Sequence, residues 1–422
     1  MTTLDTDIAI VGGGLAGLTL GIALGRMGGR MGGPGLRVLL VDREDPARAL
    51  AAGFDGRVSA IALASQRMLD AIGLWRHVSE AQPMWDIRVS DGDSRLFVHY
   101  DHRDLAELGD QPFGWMVENR VMRQAQQAAL ADLPNVTLLA PMGVTGMQLG
   151  ESGSGQPASL QLADGREVRA RLVVGADGRQ SQIRQLAGIG VQHWSYNQTG
   201  IVCTVVHERP HHGVAQERFL PAGPFAILPM TDDSAGRHRS SLVWTEPPER
   251  AKAILALDEA GFVAEMRLRF GDHFGKLTST GPRWSYPLTF LHARDYCAHR
   301  LALAGDAAHG IHPIAGQGLN LGLRDVATLT EVIVQAARVG LDIGQENVLD
   351  DYARWRRVDS TVLSAVTDGL TRLFSNDIAP IALARRLGLG LVQKLPPAKR
   401  LFMRHAMGDL GRLPKLLRGE AV

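Results

Sequence analysis

The sequence predicts an α/β fold: a Rossmann-like layer of strands and helices, an antiparallel β-sheet inserted into it, and a helical C-terminal region. Three observations carry this. Apolar runs at 7–11, 36–41 and 171–176 each end at a glycine or an acid, as buried strands of a parallel sheet do. Between about 187 and 286 short strand-like pieces recur, separated by Pro, Gly and Asp turns, before two helical segments near 251–257 and 259–270. From 341 onward, helical periodicity replaces strands.

The first apolar run leads into Gly12-Gly13-Gly14-Leu15-Ala16-Gly17 and a helix expected over 18–27. A G-x-G-x-x-G placed after a strand and opening a helix lets Gly12 make the turn and Gly14 admit a pyrophosphate. Gly17 then lets helix and strand pack closely. Residues 28–35 read as a flexible surface turn, longer than such a unit usually needs. The second strand ends at Asp42-Arg43, where an acid can accept hydrogen bonds from a ribose; a solvated turn acid is the alternative. Arg57, among small residues from Ala51 to Ala60, is expected in a close-packed loop before a helix over 63–72. Val117-Glu118-Asn119-Arg120 opens a further helix, with Asn119 also suited to a cap. Runs at 136–149, 158–162 and 167–170 read as a three-stranded meander, with Asp164-Gly165 as its tight turn. The next strand ends at Asp177-Gly178, followed by Ser181 and Arg184.

The richest stretch is LALAGDAAHGIHPIAGQGLNLGLRDV, residues 301–326. It reads as a strand over 301–304, a Gly305-Asp306 turn, a glycine-rich loop and a helix from about Leu319. Asp306 falls at a strand's carboxyl end, where α/β folds place ligand contacts. Gly316 and Gly318 let backbone lie against a flat ligand, and the helix start aims amide donors and a positive dipole end at the same place. A ring that becomes anionic on reduction, a flavin, suits that position.

Length and composition set the bounds. The chain has 422 residues, 45% hydrophobic and 21% charged, with a net charge of +1: a globular protein of two or three domains. The near-neutral balance argues against nucleic-acid binding. Cys203 and Cys297 are too few for a disulfide framework and read as buried apolar residues; residues 2–7, polar and acidic, do not resemble a signal peptide. No uninterrupted apolar run is long enough to cross a membrane. A cytoplasmic location is therefore expected. Residues 378–422 hold nine Lys and Arg against Asp409 and Glu420, so this basic, leucine-rich tail is expected to lie on the inner face of the cell membrane or to cover the body or a partner subunit. His207, His211 and His212 lack partners at metal-ligand spacing and are expected in a solvated turn.

The string HPIAGQGLNLGLRD, with the preceding Gly305-Asp306, resembles the second FAD fingerprint of the flavoprotein aromatic hydroxylases, and most of all the ubiquinone-biosynthesis hydroxylases. DGRVSAIALAS, VENR and VVGADG are similar to the same family. The resemblance implies a class A flavin monooxygenase. FAD would be held by Gly12, Gly14, Leu15, Ala16, Gly17, Asp42, Arg43, Arg57, Arg120, Asp177, Gly305, Asp306, Gly316, Gly318, Leu319 and Asn320. NAD(P)H would bind transiently, and a flavin C4a-hydroperoxide formed with O2 would hydroxylate the ring of a polyprenylated phenol or quinol. No metal is implied. Catalysis needs no triad here, because the cofactor supplies the chemistry; His309, His312 and Pro313 are the only candidates on the loop, with structural bonding as the alternative. The domains implied are an FAD-binding part over 1–186 (with the meander at 136–170), a substrate-binding sheet over 187–290, a second FAD part over 291–340 and a helical region over 341–422. Two rival functions are a hydroxylase of a soluble aromatic acid and a non-catalytic flavin scaffold in a membrane assembly. A multi-enzyme complex or a homo-oligomer is a further expectation.

Overall fold

The computed structural model describes residues 2–29, 35–51, 56–92, 94, 96–279, 281–375 and 378–422. Most of the expected 28–35 turn, and Asp55 before Arg57, lie outside these residues.

The strand Thr3–Val11 is the centre of an eight-stranded sheet. Ile8, Ala9 and Ile10 are wholly buried, as a strand covered on both faces by helices requires. It pairs in parallel with Val38–Val41 on one side and Glu167–Gly175 on the other, with Ile8 opposite both Val38 and Leu172. Leu301–Leu303 extends the parallel set beyond Glu167–Gly175. This arrangement brings the ends of Thr3–Val11, Glu167–Gly175 and Leu301–Leu303 together, and with them the three motifs expected to hold one ligand.

Two details differ from the sequence reading. Val136–Leu139 is not part of the meander; it pairs in parallel with Val38–Val41 at the sheet edge. Pro141, with no amide to continue a ladder, separates it from the meander strand Val144–Gln148. The pieces expected at 167–170 and 171–176 are one strand, Glu167–Gly175, whose first half belongs to the meander through Ala158–Leu162.

The second sheet has nine strands, antiparallel except where Val214–Leu220 runs parallel to Asp86–Asp91. Its long strand, Val191–His207, pairs with His238–Glu246 and with Trp284–Ala293. One face buries Ile201, Cys203, Val205, Phe225 and Trp244 under the helices Pro248–Leu255 and Glu259–Phe270. Burial pushes the Cys203 thiol up to about 12 and raises Cys297 as well, so both behave as small apolar side chains. The sheet is wider than 187–290: Asp86–Asp91 and Phe97–Asp101 join it from the first half of the chain, and Trp284–Ala293 was not anticipated. His207 also departs from expectation. It is buried, bonded through its ring to the Arg209 carbonyl and to Ser240 Oγ, and burial lowers its pKa.

The helix Gln317–Arg338 packs against Leu15–Gly29 and is buried over most of its length. Glu346–Phe374, Ala379–Lys394 and Pro396–Ala406 follow it, as expected of the C-terminal region. The basic tail is partly internal. Asp91, 1% exposed, receives Arg385 at 2.9 Å and Arg386 at 2.9 Å, and Lys399 pairs with Asp104 at 2.6 Å. Some of the tail's charge therefore fixes it to the nine-stranded sheet. Among the described residues no helix is long and apolar enough to cross a membrane.

Candidate active site

Three loops meet where the parallel strands end. Gly12 has φ +113°, and a Cβ there would run into the Ala176 carbonyl; a Cβ on Gly17 would strike the Gly12 carbonyl. Both positions therefore need glycine for closure of the protein on itself. Gly14 differs: a Cβ there would meet nothing within 4 Å. The loop is packed behind and open in front, and Leu15 and Ala16 begin the helix that points its amides into that opening. Asp42 stands at one end, accepting the Gly13 amide with Oδ2 and the Glu44 amide with Oδ1 at 2.8 Å. Arg43 beside it is exposed.

The 301–320 stretch faces this loop. Gly305 has φ +63°, and its Cβ position lies 3.2 Å from Ala16 Cβ, so the two fingerprints touch. Asp306 is half exposed and pairs with Arg179 Nε at 3.1 Å. Arg179 also donates to the Ile311 carbonyl at 3.2 Å, and buried Arg184 donates to the Ala307 carbonyl at 2.7 Å. These two arginines, just after Asp177-Gly178, tie that motif to the Gly305 loop. Asp177 itself caps the short helix after it, accepting the Gln182 and Ile183 amides at 2.7 and 3.1 Å; its Oδ1 is buried without a partner.

Gly316, φ +63°, is the N-cap of the helix Gln317–Arg338, which starts two residues before the expected point. A Cβ on Gly318 would meet nothing within 4 Å, a second open face of the same character as Gly14. Asn320 serves the protein. Its amide donates to the Ala60 carbonyl at 2.8 Å and its oxygen accepts the Ala62 amide at 2.9 Å, fastening the helix to the strand Val58–Ala62. Arg57 is exposed with its guanidinium over the Tyr286 ring at 5.1 Å, and Arg120 is exposed at the start of Asn119–Ala131. Asn119 does not cap that helix; its side chain accepts from Ser59 Oγ at 2.6 Å.

His309 turns away from the opening. Its Nε2 lies 2.6 Å from Asp325 Oδ2, which also accepts the Gly305 amide at 2.8 Å, while Asp325 Oδ1 accepts Arg356 Nε at 2.7 Å. Burial alone would raise the Asp325 pKa, but His309 and Arg356 hold it below the usual carboxylate range. His309–Gly310 further pairs with Trp284–Ala293, which stitches the loop to the nine-stranded sheet.

His312 is the opposite case. It is fully buried, neither ring nitrogen has a partner, and Tyr196 meets it edge-on at 5.1 Å. Burial and then the Arg179 charge push its pKa down to about 4, so it is neutral at physiological pH. Beside Tyr196 stands Asp368 of the Glu346–Phe374 helix, paired with Arg372 at 2.9 Å. Burial and the Asp368 charge raise the Tyr196 pKa. Trp194 stacks on Phe290 at 3.8 Å; Phe219, Ile314 and Phe374 form an apolar cluster nearby in the chain fold. Tyr196, Asp368 and Arg179 had no signal in the sequence. A cavity of about 390 Å³ lined by Arg88, Arg218, Arg269 and His273 shares no residue with these loops.

The residues fit FAD: two open glycine faces, Gly14 and Gly318, two helix starts and an acid at a strand end belong to loops that touch, while Gly12, Gly17, Gly305 and Gly316 are closed against protein. The description FAD binding domain belongs to the family model that matches residues 5–362. The chain is 54% identical over 417 residues to ubiquinone hydroxylase UbiL of Rhodospirillum rubrum, covering 98% of this chain and 92% of that one. It is 36% identical over 413 residues to 3-demethoxyubiquinol 3-hydroxylase of Escherichia coli, covering 97% and 100%. Among solved structures, p-nitrophenol 4-monooxygenase PnpA of Pseudomonas putida shares the fold, with a TM-score of 0.77 at 20% identity over 98% of this chain and 100% of that chain. From the glycine loops and these likenesses together, the chain belongs to the FAD-dependent monooxygenases, in the family of the ubiquinone-biosynthesis hydroxylases.

Proposed function

We propose that the chain hydroxylates the aromatic ring of a polyprenylated phenol or quinol on the way to ubiquinone, using O2 and NAD(P)H. The observation that carries this is the character of the side chains about His312 and its loop. Tyr196 meets the His312 ring edge-on, Ile314 packs with Phe219 and Phe374, and Arg179 and Arg372 are each matched by a carboxylate, Asp306 and Asp368. A soluble aromatic acid would call for an arginine left to meet its carboxylate. A neutral, lipid-like phenol does not. The named relatives point the same way.

Bound FAD would supply the redox chemistry, hydride coming from NAD(P)H and one atom of O2 going to the ring. The chain's residues do the rest. Gly14 with the Leu15 and Ala16 amides would receive the pyrophosphate, Asp42 the adenosine ribose and Asp306 the ribityl chain. The start of Gln317–Arg338, bearing Gly318 and Leu319, would hold the pyrimidine edge, where its dipole favours negative charge. Asp177, Arg57, Arg43 and Arg120 would support the bound cofactor from the loops that carry them. His312, neutral and unpartnered, accepts a hydrogen bond from the phenol hydroxyl and so raises electron density in the ring, with Tyr196 fixing its edge. The sheet and the Glu346–Phe374 helix exclude water from the reacting atoms. Such a lipid is met from the cytoplasmic side by a peripheral protein, alone or in a multi-enzyme assembly.

The test is aerobic NAD(P)H oxidation by the FAD-loaded chain, with products weighed by mass spectrometry. A short-chain polyprenylphenol should gain one oxygen atom while 4-hydroxybenzoate does not. Turnover of the benzoate alone would move the reading to a soluble acid; bound FAD with no turnover of either would favour a scaffold.

A further inference from the structure

The helix Ala379–Lys394 is fastened on one side and bare on the other. Arg385 and Arg386 hold Asp91, Gln393 accepts the His99 amide at 2.8 Å, and Ala382 is buried. The opposite face carries Leu383, Leu387 and Leu391 at every fourth residue, 60%, 58% and 57% exposed. Such a stripe normally faces a core. Here the fold leaves it uncovered although the helix itself is anchored.

The apolar surface continues past the helix. Leu395, Leu401 and Phe402 are 44%, 54% and 42% exposed on the next turn and helix. Leu96 and Phe97, 43% and 47% exposed, lie at the edge of the nine-stranded sheet, and Leu96 comes within 3.6 Å of the Cβ position on Gly390. A contiguous exposed apolar patch of this kind marks an interaction surface. Lys394 and Arg400 are exposed within it and form no ion pair among the described residues. Of the acids in 378–422, Glu420 is paired with Arg418.

We infer that this face docks on an anionic lipid bilayer, with the leucine stripe in the headgroup boundary and Lys394 and Arg400 against lipid phosphates. The choice of a bilayer deepens the lipid-substrate reading and rests on it. Charge supports the same occupant. A second copy packed about a two-fold axis would set this face against itself and bring its cations together, whereas anionic lipid meets both the leucines and the cations.

The experiment is flotation of the FAD-loaded full chain with vesicles of phosphatidylglycerol and phosphatidylethanolamine, or of phosphatidylcholine alone. The chain should float with the anionic vesicles, less so in high salt, and only weakly with phosphatidylcholine. The paired substitution Leu387→Glu, Leu391→Glu should lower the bound fraction about tenfold or more, since it removes apolar burial and adds repulsion. Lys394→Glu with Arg400→Glu should abolish the preference for anionic lipid. FAD content and turnover of a water-dispersed short-chain phenol should stay unchanged in both, which separates lost docking from lost folding. No flotation of the unaltered chain, or equal flotation of the leucine variant, overturns the inference. So does a dimer in sedimentation velocity that the leucine variant dissolves while flotation persists. Flotation as expected with no turnover of any phenol would remove the substrate reading and leave the docking surface standing.

Discussion

Asp325 reaches back along its helix to accept the Gly305 amide at 2.8 Å, so the helix that begins at Gln317 also sets the turn that carries Asp306. Its other oxygen holds Arg356 at 2.7 Å, and both groups are almost wholly buried. Asp325→Asn would leave Arg356 with Asp359 alone. Breaking a buried pair costs about 3–5 kcal/mol, so the variant should melt well below the parent and retain less FAD. Because the Asp325 pKa is depressed by the fold, its stabilisation is complete above the unfolded value and is lost as pH falls below about 4. Thermal melts across the acid range should show this loss in the parent and not in the variant.

His312 titrates in the opposite chemical sense but with the same sign. Its folded pKa of about 4 lies below that of an exposed imidazole. Between about pH 6.5 and 4 the unfolded chain takes up a proton that the folded chain refuses, so stability falls as pH drops through that window. His312→Asn should flatten this dependence in denaturant titrations. In the proposed reaction it should also lower hydroxylated product by about 100-fold while NAD(P)H oxidation continues, a split read from product against cofactor consumed.

The glycines divide by what faces them. Gly14→Ala and Gly318→Ala meet no protein atom within 4 Å, so the apo melting temperature should hold while FAD affinity drops. Gly12→Ala, at φ +113° and against Ala176, should destabilise the apo chain by about 1–3 kcal/mol or more. Flavin fluorescence titration beside apo melting separates the two classes.

Asn320→Leu tests whether that residue serves the fold. Its side chain satisfies both the Ala60 carbonyl and the Ala62 amide in a buried place. Leaving two buried backbone groups unpaired costs about 1–3 kcal/mol each, so the apo chain itself should lose stability, unlike Gly318→Ala. Differential scanning calorimetry of the apo proteins is the measurement.

The glycine loops were legible because their demands are local. Gly12, Gly17, Gly305 and Gly316 answer to a positive φ or to a backbone within contact range, and both leave a mark at fixed spacing. The helices that follow were legible from periodicity, within a few residues at their starts. Tyr196, Asp368 and Arg179 were not, since each is a single polar residue whose partners lie far along the chain. Asp325 left a weak trace: an acid on the buried side of an amphipathic helix, which needs a partner, though not one that sequence can name. Val136–Leu139 was assigned to the wrong neighbours because a four-residue apolar run does not encode which strand it lies beside. His309 and His312 stand three residues apart and look alike in sequence; only the fold shows one clasped by Asp325 and the other unpartnered.

Asp91 has a consequence for how the chain can be shortened. Its carboxylate lies inside a sheet edge and is neutralised by Arg385 and Arg386, which arrive nearly three hundred residues later. A chain cut before those arginines would keep an unmatched negative charge within the strand Asp86–Asp91 and would lose the cover over Phe97–Asp101. The last helices are thus a clasp on the first half of the chain, whose sheet edge is neutralised and covered only by residues from the final tenth.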